Sequence, residues 1–257
     1  MLLRRVTQHV KDQNWFAVFV DFFIVVVGVF VGIQVANWND LQKDKQRAAE
    51  YLSRIQVELL SNQKDMERRI EFFSRARNYG LATLKNIDQP AETLDESFLI
   101  DTYQASHSLP RKIARATYDE LLSVGAINAI GNKEIRARLA QYYRSSVTTE
   151  NILLILPSYQ NRLRSIMPYE VQKQFRNSVC GNTFKTDKSG APIISHVKNC
   201  DLGLTASQLV NAVNEIQSAD LRHDLTRLLS DHDVKIQLAK VVYDRAEELY
   251  GFLEENK

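Results

Sequence analysis

The residues predict a mainly α-helical protein: an N-terminal transmembrane helix continuing into a long helix, then an antiparallel helical bundle or coiled coil with a small disulfide-closed loop or β-hairpin. Three observations carry this. An apolar run near the N-terminus is long enough to cross a bilayer. Apolar residues then recur at spacings of three and four for almost fifty positions. Glycine and proline are scarce, 9 and 5 in 257 residues, among many Leu, Ala, Gln, Glu, Lys and Arg.

The span comes first. Residues 15–36 read "WFAVFVDFFIVVVGVFVGIQVA", interrupted only by Asp21 and Gln34. That length suits the roughly 20 apolar residues a bilayer core requires. Trp15 and Trp38 supply interfacial aromatics at its two ends. A cleaved signal peptide is the competing reading. The run is long for such a peptide, and no small-x-small cleavage site precedes the charged "NDLQKDKQR", so an uncleaved signal anchor is expected. Arg4, Arg5 and Lys11 before the span nearly balance Lys43, Lys45 and Arg47 after it, so charge leaves the orientation tied.

After Asp40, the positions Leu41, Ala48, Leu52, Ile55, Leu59, Met66, Ile70, Phe73, Ala76, Leu84 and Ile87 form a stripe fit for coiled-coil or bundle packing. Pro90 closes that helix. A second helix is expected from Asp95 to Ser106. Thr117 and Glu120 form a capping box, Gly125 a stop, and Asn132 a cap for a helix from Lys133 that presents Ile135, Leu139 and Tyr142. Residues 152–156 read as the core of a further helix, kinked or restarted at Pro157 and Pro168. Thr205 caps a short helix. A long closing helix follows to Glu254, with Leu221, Leu225, Leu228, Leu229, Val234, Leu238, Val241, Val242, Ala246 and Leu249 apolar. Antiparallel packing of this helix on the one leaving the membrane is the simplest arrangement.

The two cysteines, Cys180 and Cys200, bound "CGNTFKTDKSGAPIISHVKNC". This segment reads as a loop or hairpin, with Asp187–Gly190 as the turn and Thr183-Phe184 and Ile193-Ile194 as short strands. A disulfide closing it would contribute about 3 kcal/mol by loop entropy and would persist only in an oxidising compartment. The alternative is two reduced cysteines in a cytosolic domain. The disulfide reading breaks the tie in orientation: residues 1–14 a cytoplasmic tail, 15–38 the anchor, and 39–257 a helical periplasmic domain. Within that domain 39–88 is the juxtamembrane helix, 177–203 the cysteine loop and 219–254 the closing helix.

An acid opening the span (Asp21), a glycine seven residues later (Gly28), and a Gln-x-x-Asn-Trp-Asn-acid exit (Gln34, Asn37, Trp38, Asn39, Asp40) make a motif. This resembles the N-terminal signature of a family of uncharacterised bacterial single-pass membrane-anchored proteins. "TYDELLSVGAINAIGNKEIRARLAQYY", with its paired Tyr142 and Tyr143, resembles the family's second signature. Together they cover about a quarter of the chain. The resemblance implies topology, an inner-membrane anchor with an extracytoplasmic domain, and no chemistry.

Asp21 is open to three readings. A carboxylate near the bilayer centre costs at least ~2.5–3.5 kcal/mol, so it needs a reason. Six residues in from Trp15, about 9 Å at 1.5 Å per residue, it can simply mark the inner edge. It also shares one face with Gly28, Gly32 and Ala36, a small-residue stripe that admits a neighbouring helix to which a protonated acid could hydrogen-bond. Alternatively it belongs to an ion path shared with a partner membrane protein.

Elsewhere the composition excludes more than it proposes. A net charge of +2 with 25% charged residues argues against nucleic acid. The basic run "MERRIEFFSRAR" reads as a solvated helix. His223 and His232 lie nine residues apart, on opposite helix faces, and read as solvated polar positions without metal-ligand spacing. His107 and His196 fall in loops. No catalytic, cofactor or metal motif is present. The expectation is a non-enzymatic scaffold, assembly or sensing protein. It would contact the lipid bilayer and self-associate through its transmembrane and juxtamembrane helices. A subunit of an ion-driven or signalling complex using Asp21 comes second and an extracytoplasmic hydrolase third.

Overall fold

The computed structural model describes residues 15–178, Cys180 and 200–256. The expected tail at 1–14, the strands and turn of the cysteine loop, and His196 lie outside these residues. The protein is mainly helical, with no strand among the described residues. Helix α1 runs Trp15–Asn86, 72 residues without a proline. Short helices follow: α2 Glu96–Ala105, α3 Ala116–Ser123, α4 Lys133–Leu153, α5 Ser158–Ile166, α6 Tyr169–Asn177 and α7 Ala206–Ser218. The closing helix α8 spans Arg222–Glu255.

Local chemistry sets most of these ends. Asp95 accepts from the Ser97 amide at 2.9 Å and starts α2. Asn132 Oδ1 accepts from the amides of Glu134 and Ile135 and starts α4. Thr205 and Gln208 form a reciprocal capping box at α7. Gly125, at φ 70°, takes the left-handed conformation that ends α3. Two expectations need correction, and the restart expected at the prolines is found. α3 begins at Ala116, which puts Thr117 inside its first turn rather than at the cap. Residues 152–156 are the tail of α4 and an extended link, with Ile155 and Leu156 exposed, so no separate helix forms there. Pro157 and Pro168 stand immediately before α5 and α6; each starts a helix, as a residue with fixed φ and no N–H can at that position.

The chain divides into two units. The first comprises residues up to Ile55 together with Ala116–Arg136. Here Ala48, Tyr51 and Ile55 of α1 are buried, as are Leu121, Ala126, Ile130 and Ile135. Glu120 of α3 takes a hydrogen bond from the Tyr51 hydroxyl at 2.9 Å and pairs with Arg54 at 2.5 Å. Leu41, expected in the apolar stripe, is exposed, so burial on α1 starts at Ala48.

The second unit comprises Gln56–Arg115 and Ala137–Lys257. Its core gathers Phe98, Tyr103, Tyr159, Leu163, Phe175 and Leu225 with their neighbours. The contacts of α8 with α1 run in opposite order along the two helices. Gln56 donates to Glu254, Arg77 pairs with Asp233, and Gly80 faces Leu225 and Leu229. At Gly80 a Cβ would come within 2.9 Å of a Leu229 methyl, so the missing side chain is what allows that approach. Along α8, Val234 and Val241 are exposed, contrary to the apolar reading, while His232 and Lys235 are buried.

Between α2 and α3 the chain crosses this unit as an extended strap, residues 107–115, whose backbone has no sheet or helix to bond with. Side chains substitute. Asn62 donates to the Ala114 carbonyl at 2.9 Å and accepts from its amide at 3.1 Å. Glu150 accepts from the Ile113 amide at 2.6 Å. Arg69, fully buried, donates to the carbonyls of Leu109 and Arg111 and pairs with Asp65 at 2.8 Å. The run "MERRIEFFSRAR" is therefore not solvated throughout.

Replacing Arg69 with Leu leaves Asp65 and two strap carbonyls without their donor. A loss of about 3–5 kcal/mol is expected, read as a lower urea midpoint at unchanged m-value. A loss under about 1 kcal/mol would mean water replaces the guanidinium freely.

Candidate functional site

The apolar end of α1 is where this fold departs most from a self-sufficient one. Among the described residues it holds the one stretch long and apolar enough to cross a membrane, and none of that stretch is buried by protein. Trp15 is 74% exposed, Phe22 66% and Trp38 63%. Water is a poor solvent for such a surface, and monomeric soluble proteins rarely expose a contiguous apolar patch of this size.

Asp21, Gly28, Gly32 and Ala36 fall on this stretch at a seven-, four- and four-residue stagger, so they stay within a narrow arc of one face. A Cβ added at Gly28 or Gly32 would meet nothing within 4 Å, so the groove they leave is open. Asp21 is half-buried. Its Oδ2 is shielded from solvent and has no hydrogen-bond partner among the described residues. Gln34 lies thirteen residues from Asp21 and so points to the other side of the helix. Asn37, Trp38, Asn39 and Asp40 are exposed. Beyond them 39–47 shows every face to solvent, laced by Asp40–Lys43 and Asp44–Arg47 pairs at 3.7 and 3.4 Å.

Cys180 and Cys200 have their Cα atoms 5.4 Å apart, the separation a disulfide takes. Both flanks are tied to α2. The Cys180 carbonyl accepts from Gln104, and the amides of Leu202 and Leu204 donate to Glu96 at 2.7 and 2.8 Å. Beside Cys200 a hollow of about 410 Å³ is lined by Tyr79, Asp95, Glu96 and Asp101. Burial, reinforced by Asp95, raises the Asp101 carboxyl to about 6.

The histidines divide differently from the sequence reading. His223 is exposed, but His232 is fully buried against Phe73, with its ring centroid 5.6 Å from that of Phe73 and Nε2 3.5 Å from the Ala105 carbonyl. The nine-residue spacing does put them on opposite faces; the face of His232 is the one turned inward. The signal lay in the apolar series Leu225, Leu228, Leu229, Ala239 and Val242, whose gap at 232–235 is filled by His232 and Lys235. Lys235 donates to the Ile155 carbonyl at 2.6 Å, and burial lowers its ammonium. His107 is buried beside Tyr103. No group of three His, Cys, Asp or Glu among the described residues could hold a metal ion.

No family model, curated protein or solved structure matches this chain.

Burial pushes the imidazoles of His107 and His232 down to about 4. An unfolded histidine titrates near 6.5, so below that pH the unfolded chain takes up protons the fold excludes. Stability should be full above about pH 6.5 and fall as the pH drops toward 4, by about 2 kcal/mol per histidine between pH 7 and pH 5. Thermal melts across that range should show the fall. A His232→Leu variant should flatten it; an equally steep profile in that variant would assign the effect to other groups.

Proposed function

We propose that this chain is a membrane-anchored, non-enzymatic helical scaffold, acting in assembly or sensing at a bacterial inner membrane. The observation that carries the reading is the bare apolar end of α1, continuous with a helix whose later residues join a protein core. Lipid is the solvent such a surface fits: a helix satisfies its own backbone bonds and asks only for apolar surroundings. The resemblance of the span and exit motif to single-pass anchored proteins supports the same reading.

In this reading residues 1–14 face the cytoplasm and the helical domain the periplasm. The domain is an antiparallel bundle, and Cys180 and Cys200 form a disulfide that suits an oxidising compartment. The span self-associates along Asp21, Gly28, Gly32 and Ala36, where close approach of backbones substitutes for the hydrophobic effect that lipid abolishes. A second reading is favoured by the unpartnered Oδ2 of Asp21: that carboxyl serves an ion-driven or signalling complex with another membrane protein.

The chain should sediment with membranes and resist alkaline carbonate. Release into the soluble fraction would remove the anchor. Cysteines introduced at Gly28 or Gly32 should crosslink between copies, and Asp21→Asn should lower the yield several-fold. An unchanged yield would take Asp21 out of the contact.

For the disulfide, intact unreduced protein should resist thiol reagents at Cys180 and Cys200 and shift on a gel after reduction. Free labelling of both would withdraw the support for a periplasmic domain.

A further inference from the structure

Two buried imidazoles stand at the turn from α2 into the strap. Residues 105–108 are all buried, His107 among them, and His232 of α8 places Nε2 3.5 Å from the Ala105 carbonyl. With its Nε2–H turned to that carbonyl, His232 takes a second proton at Nδ1. That atom is shielded from solvent and has no hydrogen-bond partner among the described residues. All these groups belong to the second unit.

The charges around the pair are unwelcoming to a further positive one. Beside His232, α8 holds Lys235, whose ammonium lies 5.4 Å from the Phe73 ring centroid. Burial lowers that ammonium, and the Arg69 guanidinium of α1 lowers it further. The acids nearby are engaged. Asp233, which favours a charge on His232, is exposed and pairs with Arg77 at 2.6 Å. Asp231 pairs with Arg227 at 3.9 Å and Asp65 with Arg69 at 2.8 Å. Beside His107, α2 presents the Tyr103 ring, and Arg164 of α5 lies 4.7 Å from that ring's centroid. Burial first, and Arg164 second, oppose a charge on His107. The first half of the strap has no ladder to hold it. Residues 107–111 hang on the last turn of α2 and on Arg69.

We propose that this junction is an acid-operated latch: protons on His107 and His232 release residues 105–111 while the rest of the second unit stays folded. A charged imidazole at 232 carries an N–H without an acceptor beside an ammonium, and one at 107 faces a guanidinium. Both costs vanish when the segment lifts into water. The strap runs directly into α3, so release slackens the chain that enters the first unit. This rests on the sensing reading and names its input, the acidity of the compartment around the helical domain. In the closed latch both imidazoles titrate near 4, against about 6.5 in water. Opening is therefore favoured roughly eightfold per imidazole between pH 7 and pH 5.5, or about sixtyfold for the pair.

Amide hydrogen exchange on the full-length protein in detergent, corrected for the intrinsic effect of pH, tests the latch. Exchange across 105–111 should rise about sixtyfold between those two pH values. At pH 5.5 it should stay at least roughly tenfold faster than in α8 at 239–253 and be unmoved by low urea, as a local opening is. His107→Gln or His232→Gln should each cut the rise to about eightfold, and the two together should abolish it. The exposed His223→Gln should leave it intact. Unchanged exchange in acid, exchange that matches α8 and quickens with urea, or a double variant that still responds would each overturn the proposal. The urea arm needs wild type alone, so it decides even where a variant fails to fold. Release by carbonate would sink the anchor and leave the exchange result standing.

Discussion

The strap at 107–115 must cross the second unit without a neighbouring strand, and an extended backbone there has donors and acceptors that burial would strand. Asn62, Arg69 and Glu150 meet them with side chains. Asn62 presents an amide in the place of a strand's backbone. Arg69 has enough donors to bind two carbonyls and still pair with Asp65. Because these groups project from α1 and α4, the strap's course sets the register of those helices within the unit. Tyr142 adds to the network by accepting from Asn62, and burial pushes its phenol up to about 12.

Helices were legible because helical period and capping are local. Asp95, Asn132, Thr205 and Gly125 act within a few residues of themselves, and scarcity of glycine and proline acts the same way. The inward face of α8 was only half legible. Burial of His232 and Lys235 depends on Phe73, Ala105 and Ile155, which lie far away in the chain. Arg69 was misread for the same reason: a guanidinium among acids looks solvated until the strap that surrounds it is in place. Val234 and Val241 erred the other way, since an apolar stripe wider than the partner surface leaves its margins exposed.

The apolar end of α1 differs in kind. Its length, its interfacial tryptophans and its small-residue face are composition and spacing, and all can be read from the chain. What surrounds it cannot, because none of the described residues covers it. The open groove at Gly28 and Gly32 and the shielded oxygen of Asp21 bound the chemistry of a neighbour without naming it.

Residues 39–47 have a consequence for motion. Among the described residues every side chain here is exposed, so the order of this helix rests largely on backbone bonds and a few exposed ion pairs. Isolated helices shorter than about 12–15 residues are marginal in water. This one persists because it is flanked by helix on both sides and never has to nucleate. In the anchored reading it is the part of α1 that neither lipid nor a protein core covers, and so the place where amide protons should exchange first. In the anchored reading, tension on the apolar end would reach Ala48 through these exposed turns.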